Sequence, residues 1–347
     1  MPQKRIGIAC NRLASGGGME VHALSIIEAL IAQGITPVIF TKNHRELEQV
    51  DGLEIHSLPT KAIPRILEDT VFSFWLKRAK QKAGITSCIG FCRNTESDIL
   101  LCGGTHRGYC ARKTKHTLFD AVTSRFEDRM FDKSKFVLPA SNLIADELRN
   151  LYGLAENKIR IACPPIRAQK FRCFSDEKRR EARASLGLSP DKTVLLFPSA
   201  SGHERKGLPF ILEAIEGLDN IELAVAGKPP KTSHPGMVSI GYQTDIARAY
   251  NAADYTILAS YYEPFGMVAI ESVLCGTPVL LADGIGCMDV ITRNACTTFS
   301  RSSPESLRAV LCTLRSGVRT TPDDIAYDYS AEHQAQMLVS LLAGSQV

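Results

Sequence analysis

Glu263 and Glu271 bracket the stretch Tyr262-Glu-Pro-Phe-Gly-Met-Val-Ala-Ile-Glu271, and Cys275-Gly-Thr-Pro-Val279 follows it. The apolar run Tyr255–Leu258 before them reads as a strand, Glu263-Pro-Phe-Gly266 as a turn, and Gly266–Leu274 as a helix. Glu263 then sits in the loop at a strand's C-terminal end, and Glu271 lies about a turn and a half inside the helix. Loops at that end of open α/β sheets are where ligands bind. The first N–H groups of a helix have no partner within it and attract phosphate. Two carboxylates beside one crevice can accept hydrogen bonds from several hydroxyls, which a sugar and a ribose both offer. A buried turn with capping carboxylates is the plainer alternative.

Three other groups could join this chemistry. Gly202-His-Glu-Arg-Lys-Gly207 follows the apolar run Thr193–Pro198 and opens a helix near Gly207, so Arg205 and Lys206 could meet a diphosphate at a helix N-terminus. A solvated charged turn would look the same in isolation. Ser15-Gly-Gly-Gly-Met-Glu20 follows the first strand-like run and opens a helix, so its backbone could approach a phosphate or sugar oxygen closely. It departs from the dinucleotide fingerprint, because Val21 stands where the third glycine would be. His106 ends Cys102-Gly-Gly-Thr-His106 after the run Asp98–Cys102, at a strand end that two glycines would leave open. Cys102, His106 and Cys110 are evenly spaced, yet Gly103 and Gly104 argue against a helical ligand face and no fourth ligand is evident, so no metal is expected.

These residues need a scaffold, and the rest of the chain supplies its pattern. Short apolar runs alternate with helix-like segments, as in α/β proteins with parallel strands covered on both faces. Strand-like runs in the first half include Arg5–Cys10, Pro37–Thr41, Lys135–Pro139 and Lys158–Cys163; those in the second include Thr193–Pro198, Ile221–Ala226 and Pro278–Leu281. Met19–Ala32 and Asn142–Tyr152 read as helices, the latter between Ser141 as N-cap and Gly153. At 347 residues the chain exceeds what one core usually serves. The pattern restarts near Thr193, giving an N-terminal domain over 1–168, a C-terminal domain over 169–325 and a final helix over 326–347 that packs back across the junction.

Composition narrows the class further. No apolar run reaches the ~18 residues of a membrane helix, and the N-terminal run is too short for a signal peptide, so a cytoplasmic location is expected. The eleven cysteines contain no CxxC pair and read as reduced, mostly buried thiols. Residues 1–165 hold 23 Lys/Arg against 17 Asp/Glu, whereas 166–347 hold 18 against 20. The basic half could face an anionic partner. Lys61–Lys82 mixes Phe72, Phe74, Trp75 and Leu76 with six Lys/Arg, the pattern of either a helix on an anionic membrane or an ordinary surface helix.

The block E-P-F-G-x-x-x-x-E with its Gly-Thr-Pro turn resembles the E-x7-E signature of the retaining glycosyltransferase family 4. Arg205-Lys206-Gly207 and the early glycine loop occur in the same order there, and the resemblance spans residues 5 to 342. Bacterial lipopolysaccharide-core members are the nearest in pattern, from the short N-terminal half, Ala162-Cys-Pro-Pro-Ile166, and Arg125–Leu138 leading into Ser141. The resemblance implies a GT-B fold, two Rossmann-like domains with a cleft between them. It implies that Glu271 binds the donor ribose, that Glu263 contacts the transferred sugar, and that Arg205 and Lys206 neutralise the leaving diphosphate without a metal. The N–H groups of Phe265, Gly266 and Met267 would hold donor sugar and phosphate, Gly17 and Gly18 would approach the donor from the other domain, and His106 would be the cleft histidine. The implied donor is a nucleoside-diphosphate sugar. The implied acceptor is an anionic or lipid-linked saccharide, reached from the inner face of the membrane, with no nucleic acid involved. One departure is Pro164-Pro-Ile-Arg167, where many members carry Asn-Gly-Val-Asp. Gly227-Lys-Pro-Pro230 and Ser239-Ile-Gly-Tyr242 are expected to flank the nucleobase. The rival functions are a nucleotide-sugar epimerase or hydrolase of the same fold and a non-catalytic module for anionic surfaces; the broken glycine fingerprint disfavours a nicotinamide oxidoreductase.

Overall fold

The computed structural model describes residues 5–13, 17–43, 53–113, 115–200, 202–315 and 317–344. The chain forms two compact units, Met1–Ile166 with Asp328–Val347, and Arg167–Tyr327. The unit boundaries fall at 166/167 and 327/328, against 168/169 and 325/326 expected from sequence.

The first unit contains strands β1 (Arg5–Arg12), β2 (Thr36–Asn43), β3 (Glu54–Ser57), β4 (Cys88–Gly90), β5 (Ile99–Cys102) and β6 (Phe136–Pro139). Its helices are α1 (Gly18–Ala32), α2 (Glu68–Lys82), α3 (His106–Cys110), α4 (Leu118–Lys133), α5 (Asn142–Tyr152) and, from the chain end, α11 (Ala331–Leu342). The second unit contains β7 (Thr193–Ser199), β8 (Ile221–Gly227), β9 (Met237–Gly241), β10 (Tyr255–Leu258), β11 (Val279–Ala282) and β12 (Cys296–Phe299). Its helices are α6 (Asp176–Ser185), α7 (Leu208–Ile215), α8 (Ile246–Ala252), α9 (Met267–Leu274) and α10 (Pro304–Leu311).

The sheets run in the orders β3-β2-β1-β4-β5-β6 and β12-β11-β10-β7-β8-β9. The paired strands are parallel. Both are the doubly wound dinucleotide-fold order, in which the chain winds outward from one central strand and then returns to pair the fourth strand with the first. The switch points therefore lie between β1 and β4 and between β7 and β10. Apolar runs form these strands because both faces are covered. In the first unit, Ile6 and Ile8 pack with Leu24 and Ile27 of α1 and Leu338 of α11, while Ala9 and Phe40 face Phe72 and Leu76 of α2. Local chemistry sets the helix ends. Ser141 Oγ accepts the Ile144 N–H, and Gly153 closes α5 in the left-handed conformation at φ 61°.

Three sequence expectations need correction. Lys158–Cys163 is not a seventh strand of the first sheet: it makes one isolated bridge, Ile159 to Val137. The Arg160 and Ala162 N–H groups reach the Val137 and Pro139 carbonyls, but the reciprocal bond into Arg160 O would need an N–H from Pro139, which has none. β12 was not expected from its sequence. It is a short edge strand whose threonines face outward, so it lacks an apolar run. Finally, the basic segment is helical only from Glu68. Pro64 disfavours helical backbone at Ile63, and turns precede it. Phe72 and Leu76 of α2 are buried and Trp75 packs on Phe40 and Phe72, while Phe74 is exposed beneath Arg78, 3.6 Å from guanidinium to ring centroid. Among the described residues, no helix is long and apolar enough to cross a membrane.

Candidate functional site

In the second unit, the two chemistry-bearing loops leave the strands that flank its switch point. Gly202–Gly207 follows β7, and Ala259–Gly266 follows β10. They are tied together, since the Tyr261 N–H donates to the Arg205 carbonyl at 3.2 Å. Gly207 caps α7 at φ 88°, and a Cβ there would stand 2.2 Å from the Ala259 carbonyl oxygen, so only glycine lets the two loops close up this tightly. Gly266 caps α9 at φ 98° without a side-chain cap, which leaves the first N–H groups of that helix to a ligand. Phe265 is buried with its ring edge-on to Tyr327, and its carbonyl accepts the Cys287 N–H, so the turn is anchored from beneath. Met267 is half-buried as the first residue of α9.

Lys206 is half-buried, and among the described residues its Nζ hydrogen-bonds only to the Pro198 carbonyl, at 3.4 Å. Among the described residues, no carboxylate lies within ion-pair distance of it. Burial pushes its pKa down; Glu263 counters this and Arg205 adds to it. Lys206, Glu263 and Arg205 therefore share one electrostatic neighbourhood. A desolvated ammonium without an ion pair gains charge stabilisation when an anion arrives. The Arg205 side chain is exposed. Glu263 Oε2 accepts from Ser260 Oγ at 3.2 Å, and its backbone is fixed by a bridge to Ile285. Glu271 lies one helix deeper and accepts the Tyr250 hydroxyl at 2.7 Å; burial raises its pKa and this bond opposes the rise. The sequence reading missed Tyr250, a wholly buried side chain of α8. It also missed His203, whose Nδ1 lies 2.7 Å from Ser199 Oγ and whose Nε2 lies 2.8 Å from the Lys228 carbonyl, joining the loops after β7 and β8. Beside His203 a cavity of 380 Å³ is lined by Lys228, Pro229 and Pro230.

The remaining expected residues belong to the first unit. Gly17 is the N-cap of α1 at φ 104° and Gly18 its first residue; Ser15 and Gly16 lie outside the described residues. His106 is buried, a correction to the open strand end expected from sequence. It opens α3, and its Nε2 lies 2.9 Å from Asp120 Oδ1. The metal argument changes with it. The helix begins after the two glycines, so His106 and Cys110 share a face, and with Asp120 their ligand atoms lie within 4.8 Å of one another. Cys102 is not part of this group. Lys113 Nζ sits 3.0 Å from both Asp120 oxygens, so an ammonium already fills the place of a cation. All eleven cysteines are thiols, most of them buried or half-buried, with Cys173 and Cys312 exposed.

Residues 16–170 match the family described as Glycosyltransferase Family 4, and residues 178–311 match Glycosyl transferases group 1. A probable transglycosylase of Burkholderia thailandensis is 39% identical over 310 residues, covering 88% of this chain and 85% of the relative. The chain belongs to glycosyltransferase family 4. As a member of that family it is an enzyme of glycosyl transfer, and its fold is GT-B. WaaG, a glycosyltransferase involved in lipopolysaccharide biosynthesis, superposes with a TM-score of 0.75 at 19% identity, covering 98% of both chains. HepE of Anabaena, solved in complex with UDP-glucose, superposes with a TM-score of 0.69 at 12% identity, covering 98% of this chain and 99% of HepE. Glu263, Glu271, Arg205 and Lys206 all fall within the residues that match Glycosyl transferases group 1.

Proposed function

We propose that the enzyme transfers a sugar from a nucleoside-diphosphate sugar to a hydroxyl of an anionic saccharide acceptor, with retention at the anomeric carbon. The observation that carries this reading is that the Arg205-Lys206 loop after β7 is hydrogen-bonded to the loop after β10 that holds Glu263, at the switch point and beside the uncapped start of α9. The donor diphosphate lies against Lys206 and Arg205 and takes N–H bonds from Gly266 and Met267; Glu263 takes hydroxyls of the donor sugar and Glu271 those of the ribose. The bond between the anomeric carbon and the β-phosphate oxygen breaks, and the two cations stabilise the departing charge. The acceptor oxygen bonds to the same face of that carbon, and its proton passes to the leaving phosphate. Charge neutralisation by Lys206 and Arg205 makes a metal unnecessary. His106, held on Asp120, serves in this reading to shape the first unit's loop rather than to transfer a proton.

The acceptor class rests on the basic first half and on the likeness to WaaG; a lipopolysaccharide-core or related envelope glycan, met at the membrane's inner face, fits both. The test is turnover of a panel of nucleotide sugars with deacylated core oligosaccharide, followed by proton NMR of the new linkage. Retention gives the donor's own anomeric configuration in the product. Inversion, or release of free sugar at the same rate without acceptor, would refute the proposal.

A further inference from the structure

The first unit holds a cavity of 650 Å³ beside α3 and the start of α4, lined in part by Arg65, Arg93, His106, Lys113, Phe119 and Asp120. A smaller cavity at the C-terminal ends of β4 and β5, in the crevice of this unit's own switch point, shares Arg93 with it. Arg93 therefore stands where the two spaces meet.

The carboxylates around this cavity are already committed. Asp120 receives Lys113 Nζ on both oxygens, the Thr117 N–H and hydroxyl at 2.8 Å each, and approaches His106 Nε2. Glu127, buried behind Arg93, receives Arg93 Nε at 2.7 Å, the His106 N–H at 2.8 Å and the Tyr152 hydroxyl. The cations are not committed in the same way. Arg93 spends only Nε on Glu127, and among the described residues its two terminal nitrogens have no hydrogen-bond partner. The Arg65 side chain makes no hydrogen bond or ion pair among them; its guanidinium lies over the Phe119 ring, 4.7 Å from the centroid. Two guanidinium forks at one cavity, one held by an ion pair and one by an aromatic face, suit a group with several oxygens and more than one negative charge.

We propose that this cavity binds a phosphate ester carried by the acceptor saccharide, with Arg65 and Arg93 holding the phosphate. The role as acceptor subsite rests on the glycosyl-transfer reading above; the phosphate site itself does not. Arg65, lying over Phe119, and Arg93 then select acceptors by charge, and a neutral sugar of the same shape binds poorly.

The experiment is calorimetric titration of the full chain, without donor, using glucose 6-phosphate, glucose, glucuronate and inorganic phosphate. Glucose 6-phosphate is expected to bind at least about tenfold more tightly than glucose. Tighter binding than inorganic phosphate would mark a sugar-phosphate site, and equal binding a site that reads the phosphate alone; both uphold the phosphate contact. Arg65→Ala removes an exposed side chain, so the fold should be kept while glucose 6-phosphate binding weakens by about tenfold. Arg65→Lys should fall between. Arg93→Ala strips Glu127 of its counter-ion, so its result is read only if thermal melting stays unchanged, and Arg65 decides otherwise. Unchanged binding in Arg65→Ala, preference for glucuronate over glucose 6-phosphate, or equal binding of glucose overturns the proposal. Turnover of donor is assayed separately: loss of the transfer reading with intact phosphate binding leaves this site standing, and transfer without Arg65-dependent binding removes the site alone.

Discussion

The two units share a strand order but use their switch points in opposite ways. In the second, the crevice between β7 and β10 keeps a cation in reserve: Lys206 is half-buried, has no ion-pair partner among the described residues, and carries a lowered pKa because burial disfavours its charge. In the first, the charges beneath the crevice are largely paired with one another, Arg93 with Glu127, Lys113 with Asp120, and Lys42 with Asp69 at 2.5 Å. One scaffold thus supports two electrostatic designs. An unpaired, partly buried charge raises the free energy of the empty site and is relieved by ligand, whereas paired charges give little such gain but fix a unique arrangement of loops, with Arg65 and the terminal nitrogens of Arg93 the exceptions in the first unit. Chemistry belongs to the second unit's design and shape chiefly to the first's. Mutations should separate them, with losses of turnover on one side and losses of stability on the other.

The sharpest break is at Lys206. Lys206→Ala should lower kcat by about 100- to 1000-fold, the range found when one preorganised charge-stabilising donor is removed. Stability should hold or rise slightly, because a desolvated charge without an ion pair is lost. Steady-state kinetics and a thermal melt on the same preparation check both halves. Retained turnover would mean that the reserve cation has no catalytic task.

The first unit should answer to pH through stability instead. His22 of α1 is buried, its Nε2 against Gln334 of α11 and its ring edge-on to Phe91, and burial pushes its pKa down to about 4. In the unfolded chain the ring takes up its proton near pH 6.5. The contribution is therefore complete above that pH and fades as pH falls from 6.5 toward 4, by up to about 3 kcal/mol. Urea unfolding followed by circular dichroism at pH 7 and 4.5 should show the loss in the wild type and a flatter response in His22→Asn. An identical pH slope in both would place the acid sensitivity elsewhere.

Much of the second design was legible in the sequence because it depends on local constraints. Gly266 permits the positive φ that starts α9, in the turn that follows β10, so the motif carries its own geometry. The first design was not. Charged residues on helices ordinarily face water, yet Asp120, Glu127 and Glu147 are all buried. Their partners Lys113, Arg93 and Arg112 come from separate segments that only the folded chain brings near. The surroundings of His106 were hidden for the same reason: the glycines before it promise an open loop, but α3 sets its ring beside Asp120. Lys158–Cys163 failed as a strand through a neighbour's missing N–H, at Pro139, which its own residues cannot reveal. The Tyr250–Glu271 contact was hidden too, because it joins two helices whose facing sides follow from packing.

That contact gives the smallest and most discriminating test, since it sets a satisfied buried carboxylate inside the unit whose chemistry depends on unsatisfied charge. Tyr250→Phe removes only the hydroxyl that donates to Glu271 at 2.7 Å. Glu271 then keeps its burial but loses the bond that holds its pKa down, so that pKa climbs further. If Glu271 must be ionised to accept the ribose hydroxyls, donor KM should rise by about five- to tenfold, with kcat nearly unchanged. The acid limb of kcat/KM should also move to higher pH, because the carboxylate protonates earlier as pH falls. A purely structural tyrosine would lower the melting temperature and leave the pH limb in place. A shifted limb with an unchanged melt would instead mean that Tyr250 tunes a ligand-binding carboxylate, and that even the reactive unit borrows one piece of the other unit's design to keep its acid charged.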